Sequence, residues 1–289
     1  MALTVTEAFS VQSPNGNSLA VFIEAQSGEI KLKDVNGQVE SFTDYVTASP
    51  YRYNCTQATA IEPILGTNQS SGIFSAIGGG QFNLATGSRA YVGGGNCNLA
   101  SGGFSFLGGG DRNKSCGNTS SVSGGICNIA SGLDSAIGGG ASNISSCNQS
   151  TVGGGASNVS SCFNSTVSGG EFGTASASSA VVGGGSSNVS SGIQSTVSGG
   201  FCNTSSATHS GISGGAYNTS SGLRSSILGG RNNNTASFAD AMIVGSCITA
   251  DRACTLFANN LSLKNIPTSA AGLPSGSVWS SAGTLCIVP

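Results

Sequence analysis

From residue 75 onward one aliphatic side chain recurs at every fifteenth position. Ile77, Val92, Leu107, Val122, Ile137, Val152, Val167, Val182, Val197, Ile212 and Ile227 follow without an insertion, and the spacing reaches Met242. Glycine stands two and three positions after each, in columns running Gly79 to Gly229 and Gly80 to Gly230. The sixth position is asparagine from Asn83 to Asn233, with Gly173 the exception. Complete coils of fifteen residues thus run from Ser75 to Ala239, and the partial coil over 65–74 already carries Asn68 and Gly72 in phase.

Fifteen residues are too few for two helices, and a Gly-Gly pair breaks either one. They suit two strands of about four residues and two tight turns, which make one rung of a parallel β-solenoid. Rungs hydrogen-bond to their neighbours about 4.8 Å away, so equivalent residues stack into ladders. The Ile/Val column is expected inside, because β-branched side chains pack well on a pleated surface. The Gly-Gly pair is expected at one corner, where positive φ and close backbone approach are needed. The Asn column is expected at the other corner, adopting the left-handed conformation and laddering between rungs.

Such a core is thin. One large aliphatic per rung contributes about 2 kcal/mol of burial, against the entropy of ordering fifteen residues. A second apolar column, Leu84, Leu99, Ile129, Ile144, Val159 and Val189, is interrupted by Lys114, Thr174, Thr204 and Thr219. The shortfall predicts lateral association of several chains, with Gly/Ala/Ser columns letting the rods approach closely.

The ends differ from the middle. Residues 1–62 lack the repeat and read as an N-terminal β domain. Ser18–Glu24 and Glu29–Val35 are β-rich, and Asn15-Gly16 and Asn36-Gly37 are hairpin-turn dipeptides. The repeat region is assigned to 63–250. Residues 251–289 are read as a C-terminal β cap, in which Ser277–Trp279 and Thr284–Val288 flank a Ser-Ser-Ala-Gly turn.

Composition narrows the chemistry. The chain has 46 glycines among 289 residues, 8% charged residues, one histidine and a net charge of −2. That balance gives no electrostatic reason to bind nucleic acid. No apolar run is long enough to span a bilayer as a helix, and Met1–Glu7 has no basic region to open a secretory signal. Polysaccharide-cleaving chemistry needs paired carboxylates, yet the coils hold only Asp111, Asp134 and Glu171, on different rungs. No aspartate column exists to ligate calcium, and no Lys-Ser/Thr follows the Gly-Gly-Gly strings to complete a phosphate loop. His209 shares an outward column with Arg89, Asp134, Gln194 and Arg224, and reads as a solvated residue. No Cys-x-x-Cys pair supports zinc. Cys97 and Cys127 stand two rungs apart, beyond bonding reach, and Cys147 and Cys162 are stacked neighbours with parallel Cβ vectors, so small buried thiols are expected. Sequons are frequent (Asn68, Asn113, Asn118, Asn148 and Asn164 among them), but in the turn column they have structural reasons of their own. No catalytic, cofactor or metal residue is assigned, no cofactor is expected, and the ligand-binding residues stay unassigned.

The string Ser135-Ala-Ile-Gly-Gly-Gly-Ala-Ser-Asn143 and its relatives resemble the head repeats of trimeric autotransporter adhesins. The resemblance covers roughly residues 65–250. It implies a left-handed parallel β-roll in which three chains pack side by side. Two features depart from that family: the coil is fifteen residues where those heads usually use fourteen, and neither a signal peptide nor a membrane barrel is expected from these residues. The segment Asn260–Trp279 resembles the ends of phage and large-virus fibre-like structural proteins.

The expectation is therefore an all-β, left-handed parallel β-solenoid of fifteen-residue rungs, trimeric, with small β domains at both ends. Its expected role is non-enzymatic, as a structural fibre or tail-fibre-like component at a virion surface or tail. Its expected partners are two further copies of itself, other particle proteins through the N-terminal domain, and a host-surface glycan. An ice- or surface-binding solenoid is the alternative. It is weakened by the mixed ladder Ala76, Tyr91, Phe106, Ser121, Ala136, Thr151, Thr166, Val181, Thr196, Gly211 and Ser226. A polysaccharide-active enzyme is disfavoured by the carboxylate count.

Overall fold

The computed structural model describes residues 67–259, 262, 266–281 and 284–288, together with six strands between residues 10 and 63. Among these residues every regular element is a β-strand. The first complete coil contains the strand Ala76–Ile77, a one-residue bridge at Gln81 and the strand Leu84–Ala85. Each pairs in parallel with its equivalent in the next coil: Ala76 with Tyr91, Gln81 with Asn96, Leu84 with Leu99. Repetition builds a 15-stranded sheet, an 11-stranded sheet and a third ladder of bridges from Gln81 to Arg231. The chain is a parallel β-solenoid.

The rung is three-sided, with two-residue strands, rather than two-sided with strands of four. The chain bends after so few residues because, besides the glycine at Gly80 (φ 79°), two non-glycine positions per coil have positive φ, Phe82 (φ 56°) and Arg89 (φ 57°) in the first coil. Their equivalents include Cys97, Ser142, Phe172, Phe104, Gln149 and Gln194, none of them glycine. The expected left-handed asparagine is thus displaced by one residue: the bend falls on the residue before it.

The Asn column instead fills the interior. Asn83, Asn98, Asn113, Asn128, Asn143, Asn158, Asn188, Asn203 and Asn218 have no exposed surface. Asn143 shows the reason. Its Nδ2 donates to the Gly139 carbonyl of its own turn and to the Gly155 carbonyl of the next, both at 2.9 Å. Its Oδ1 accepts the Asn158 N–H at 3.0 Å. One side chain thereby bonds three backbone groups on two rungs and is itself fully satisfied, which is the condition for burying a polar group without a large penalty. At the exception, Asn158 Oδ1 accepts the Gly173 N–H at 2.8 Å, but Gly173 offers no oxygen to the Asn188 N–H above it.

Beside this ladder lies the aliphatic column, whose eleven members from Ile77 to Ile227 are at most 1% exposed. The second inward column is not Leu84 and its equivalents, which point outward and are half-buried or exposed. It is the next residue along, Ala85, Ala100, Ser115, Ala130 and Ser145 onward. It faces a third buried column of Ser75, Ala90, Ser105 and Ser120 onward. Where both columns carry serine the hydroxyls pair, as in Ser115–Ser120 (2.8 Å), Ser145–Ser150 (2.7 Å) and Ser190–Ser195 (2.6 Å). Ala85 faces Ala90 and Ala175 faces Ala180. At Ala100–Ser105 and Ala130–Ser135 the match fails, and the Ser105 and Ser135 hydroxyls have no partner. These two Ala/Ser columns are inside the rod, and the small residues left outward are those of the columns that contain Gly78 and Ser131.

Only the second glycine of each pair is demanded by space. A Cβ on Gly155 (φ +87°) would lie 2.1 Å from the Gly170 carbonyl oxygen, whereas one on Gly154 would meet nothing within 4 Å. At the far end the expected inward Met242 is exposed and Ile243 replaces it at 0%. One extra residue in the preceding corner shifts the pairing to Ile227↔Ile243, and the parallel sheet continues through Leu256–Ala258.

The N-terminal strands β1 (Ser10–Gln12), β2 (Ser18–Ile23), β3 (Ile30–Lys33) and β4 (Val39–Ser41) form an antiparallel sheet in chain order. Asn15-Gly16 and Asn36-Gly37 fall between β1 and β2 and between β3 and β4, and the turns themselves lie outside the described residues. Strands β5 (Tyr51–Asn54) and β6 (Gln57–Pro63) make an antiparallel pair, and β6 joins the first coil through Ile61↔Ala76. The expected terminal hairpin is present as Val278–Ser281 against Thr284–Ile287.

Two substitution pairs test this interior. Asn158→Ala removes one acceptor and two donors and should cost about 2–4 kcal/mol, while Gly173→Asn, which completes the ladder but sets a Cβ 3.0 Å from Asn158 Oδ1 and 3.2 Å from Val167 Cγ1, should change stability by less than about 1 kcal/mol. Gly155→Ala should destabilise by several kcal/mol and Gly154→Ala by less than about 1 kcal/mol. Thermal or denaturant melting reads both pairs, and equal effects within a pair would contradict the assignment.

Candidate functional surface

With the interior filled, any function must be carried by the outward columns. The 15-stranded sheet presents Ala76, Tyr91, Phe106 and their equivalents beside a column that runs from Gly78 to Leu228. The 11-stranded sheet presents Leu84, Leu99, Lys114, Ile129 and equivalents beside Thr86, Ser101, Cys116 and an unbroken run of serines from Ser131 to Ser221. The corners between sheets carry the residues with longer or charged side chains.

Stacking places corner side chains against their equivalents on adjacent rungs. The Arg89 guanidinium lies between the rings of Phe74 and Phe104, 5.5 and 4.9 Å from their centroids. One column away, Tyr91 and Phe106 stack at 5.8 Å with an interplanar angle of 15°. Farther along, Phe201 and Tyr217 meet edge to face at 5.3 Å, and Arg231 lies 5.4 Å from the Tyr217 centroid. Each cation–π contact on so exposed a surface is worth about 0.5–1 kcal/mol. These clusters escape a reading confined to the constant columns. Their signal is an aromatic or arginine met again fourteen to sixteen residues later in the same or an adjacent variable column.

The acids behave as surface groups. Asp111 accepts from Asn96 Nδ2 (2.8 Å) and Arg112 Nε (2.7 Å), and these two hold its carboxyl below the ordinary value, the Asn96 bond most. Asp240 makes a two-pronged ion pair with Arg224, both contacts at 2.8 Å, which lowers its carboxyl likewise. Asp134 accepts the Thr119 hydroxyl of the rung before. Asp111, Asp134 and Glu171 stay on separate rungs, and His209 is exposed. Among the described residues no group of three His, Cys, Asp or Glu side chains could hold a metal, and no helix is long and apolar enough to cross a membrane.

Cys97, Cys116, Cys127, Cys147, Cys162, Cys202, Cys247 and Cys254 form no disulfides, but they are not the buried thiols expected: Cys97, Cys247 and Cys254 are exposed and the others half-buried. Cys147 and Cys162 occupy a column that is glycine in most rungs, and there the backbone N–H turns to Ser150 Oγ (3.2 Å) and Ser165 Oγ (3.1 Å). The sequon asparagines divide sharply. Asn113 and Asn143 are fully buried in the ladder, whereas Asn118, Asn148 and Asn164 are exposed at a corner.

No protein-family model matches the chain, and no curated protein matches it either. The surface must therefore be read from its own chemistry. Alkylation of the folded protein should modify Cys97, Cys247 and Cys254 faster than Cys147 and Cys162, as mapped by peptide mass spectrometry. Protection of the first three would contradict the outward assignment of their columns.

Proposed function

We propose that the protein is a non-enzymatic structural fibre component of a virus particle, in which the solenoid is a projecting rod built from three parallel chains. The supporting observation is a rod of unvarying rungs whose constant residues all serve the stacking itself. Its acids are scattered over separate rungs, and most are tied up in contacts with neighbours. The N-terminal β-sheet would dock on other particle proteins, and the exposed aromatic corners would offer faces to a host-surface glycan. The similarity of Asn260–Trp279 to the ends of fibre-like structural proteins supports the viral setting. Three chains side by side would cover outward apolar residues such as Ile129 and Ile144 that one chain leaves half-exposed.

A second reading has its own observation. On the 11-stranded sheet Thr174/Ser176, Thr204/Ser206 and Thr219/Ser221 stand outward in parallel ladders, a hydroxyl array interrupted at Val189, of the kind a surface-binding solenoid would use.

Light scattering at micromolar concentration separates assembly from isolation: three times the chain mass is expected, and a well-folded species of one chain mass would overturn the trimer. Mass spectrometry of purified particles should find the chain as a stoichiometric component. Its absence, together with thermal hysteresis of the pure protein, would favour the second reading.

A further inference from the structure

Resting on that self-associating reading, we propose that one corner of the solenoid is the seam along which parallel copies of this chain meet, and that an alternation along it sets their register. The corner is the turn leading from the 11-stranded to the 15-stranded sheet. From Leu133 onward its apex residue is large and apolar at every second rung: Leu133, Phe163, Ile193 and Leu223, at 45, 46, 54 and 41% exposure, whereas in the earlier rungs Ile73 is in phase and Gly103 is not. The rungs between carry Asn148, Ser178 and Thr208. Thirty residues separate successive apolar members, or two rungs, an axial distance of about 9.6 Å. The residue just before the apex follows the same beat over its last rungs, with Ala177 and Ala207 ahead of the polar members and Gly192 and Gly222 ahead of Ile193 and Leu223.

Two properties identify the occupant as a further copy. In a parallel, rotationally symmetric assembly each column at the axis faces itself, so a charge there meets its own sign. The apex column carries no charge from Ile73 to Leu223, whereas the next column holds Arg89, Asp134 and Arg224. The two-rung beat is also matched only by an object with the same rung spacing. Copies in register would form apolar layers of Leu, Phe, Ile and Leu separated by polar layers.

That arrangement solves a problem the interior cannot. The aliphatic and asparagine columns face inward and the glycine pair recurs at every rung, so these columns give no preference between registers. A slip of one rung would set all four apolar residues against Asn, Ser or Thr. Polar layers in an apolar seam fix register in the same way in coiled coils.

The test uses the full chain in sedimentation velocity. The wild type should sediment as an oligomer, Phe163→Asp/Ile193→Asp should run as a single chain, and Ser142→Asp, at the other left-handed corner, should leave the oligomer intact. Circular dichroism should show β-structure in all three. If the double aspartate variant fails to fold, Phe163→Ser/Ile193→Ser copies the residue already present at Ser178 and should weaken association at least tenfold. A photo-cross-linker at Ser178 should reach residues 176–180 of another chain. An oligomer indifferent to both double variants overturns the seam while leaving self-association standing, and cross-links to a neighbouring rung overturn the register. A monomeric wild type overturns self-association itself and the seam with it.

Discussion

The structure depends on a single side-chain arrangement, the buried asparagine that ties each turn to the next. A rung of fifteen residues has too little apolar volume to exclude water by packing alone, yet its turn backbone is enclosed and needs partners. The asparagine provides them without solvent. Its amide bonds two carbonyls twelve and four residues away, as Asn128 does with Gly140 and Gly124, and its oxygen takes the next N–H. Each of those distances is a chain separation, and the same separations of 4, 12 and 15 residues hold from Asn233 to Ile248, although the corner between them carries an extra residue. The glycine three residues before it is demanded by the closeness of the turns: an ideal Cβ on Gly155 would lie 2.1 Å from the Gly170 carbonyl oxygen and 2.7 Å from Asn158 Nδ2, and one on Gly170, whose rung has no asparagine, would still lie 2.2 Å from the Gly185 carbonyl oxygen.

The repeat relaxes at the end of the asparagine column. Asn233 is the last of the column, and its oxygen accepts from Ile248, which cannot extend the ladder. In the same terminal stretch the corner admits its extra residue and Ile243 takes the inward place of Met242. Gly173 is the one internal lapse, and it is tolerated because the rungs on either side are intact.

Much of this was legible in the sequence, and the failures are instructive. Constancy of residue type marked the columns and their phase, and β-branching identified Ile77 and its equivalents as interior. Constancy does not reveal dihedral angles, so the bend was placed on Asn83 when it belongs to the variable Phe82. Nor does it separate inward from outward within a two-residue strand: Leu84 is larger and more apolar than Ala85, but the space inside the turn takes only the smaller residue. The third ladder left no signal at all, since a single bridge position accepts Gln81, Asp111, Ile126 and Phe201 alike. On the surface the absence of paired acids was readable, whereas the Phe74–Arg89–Phe104 stack became visible only once equivalent residues were set one above another.

The central claim, that the asparagine ladder holds the rungs together, is tested most directly by native-state amide hydrogen exchange. The account predicts that the N–H groups of Asn98, Asn113, Asn128, Asn143, Asn158, Asn203 and Asn218 are among the slowest to exchange, with Asn188 faster than its equivalents because Gly173 lies beneath it. Exchange of the whole column at the rate of the exposed corners, or an Asn188 amide as slow as the rest, would contradict it.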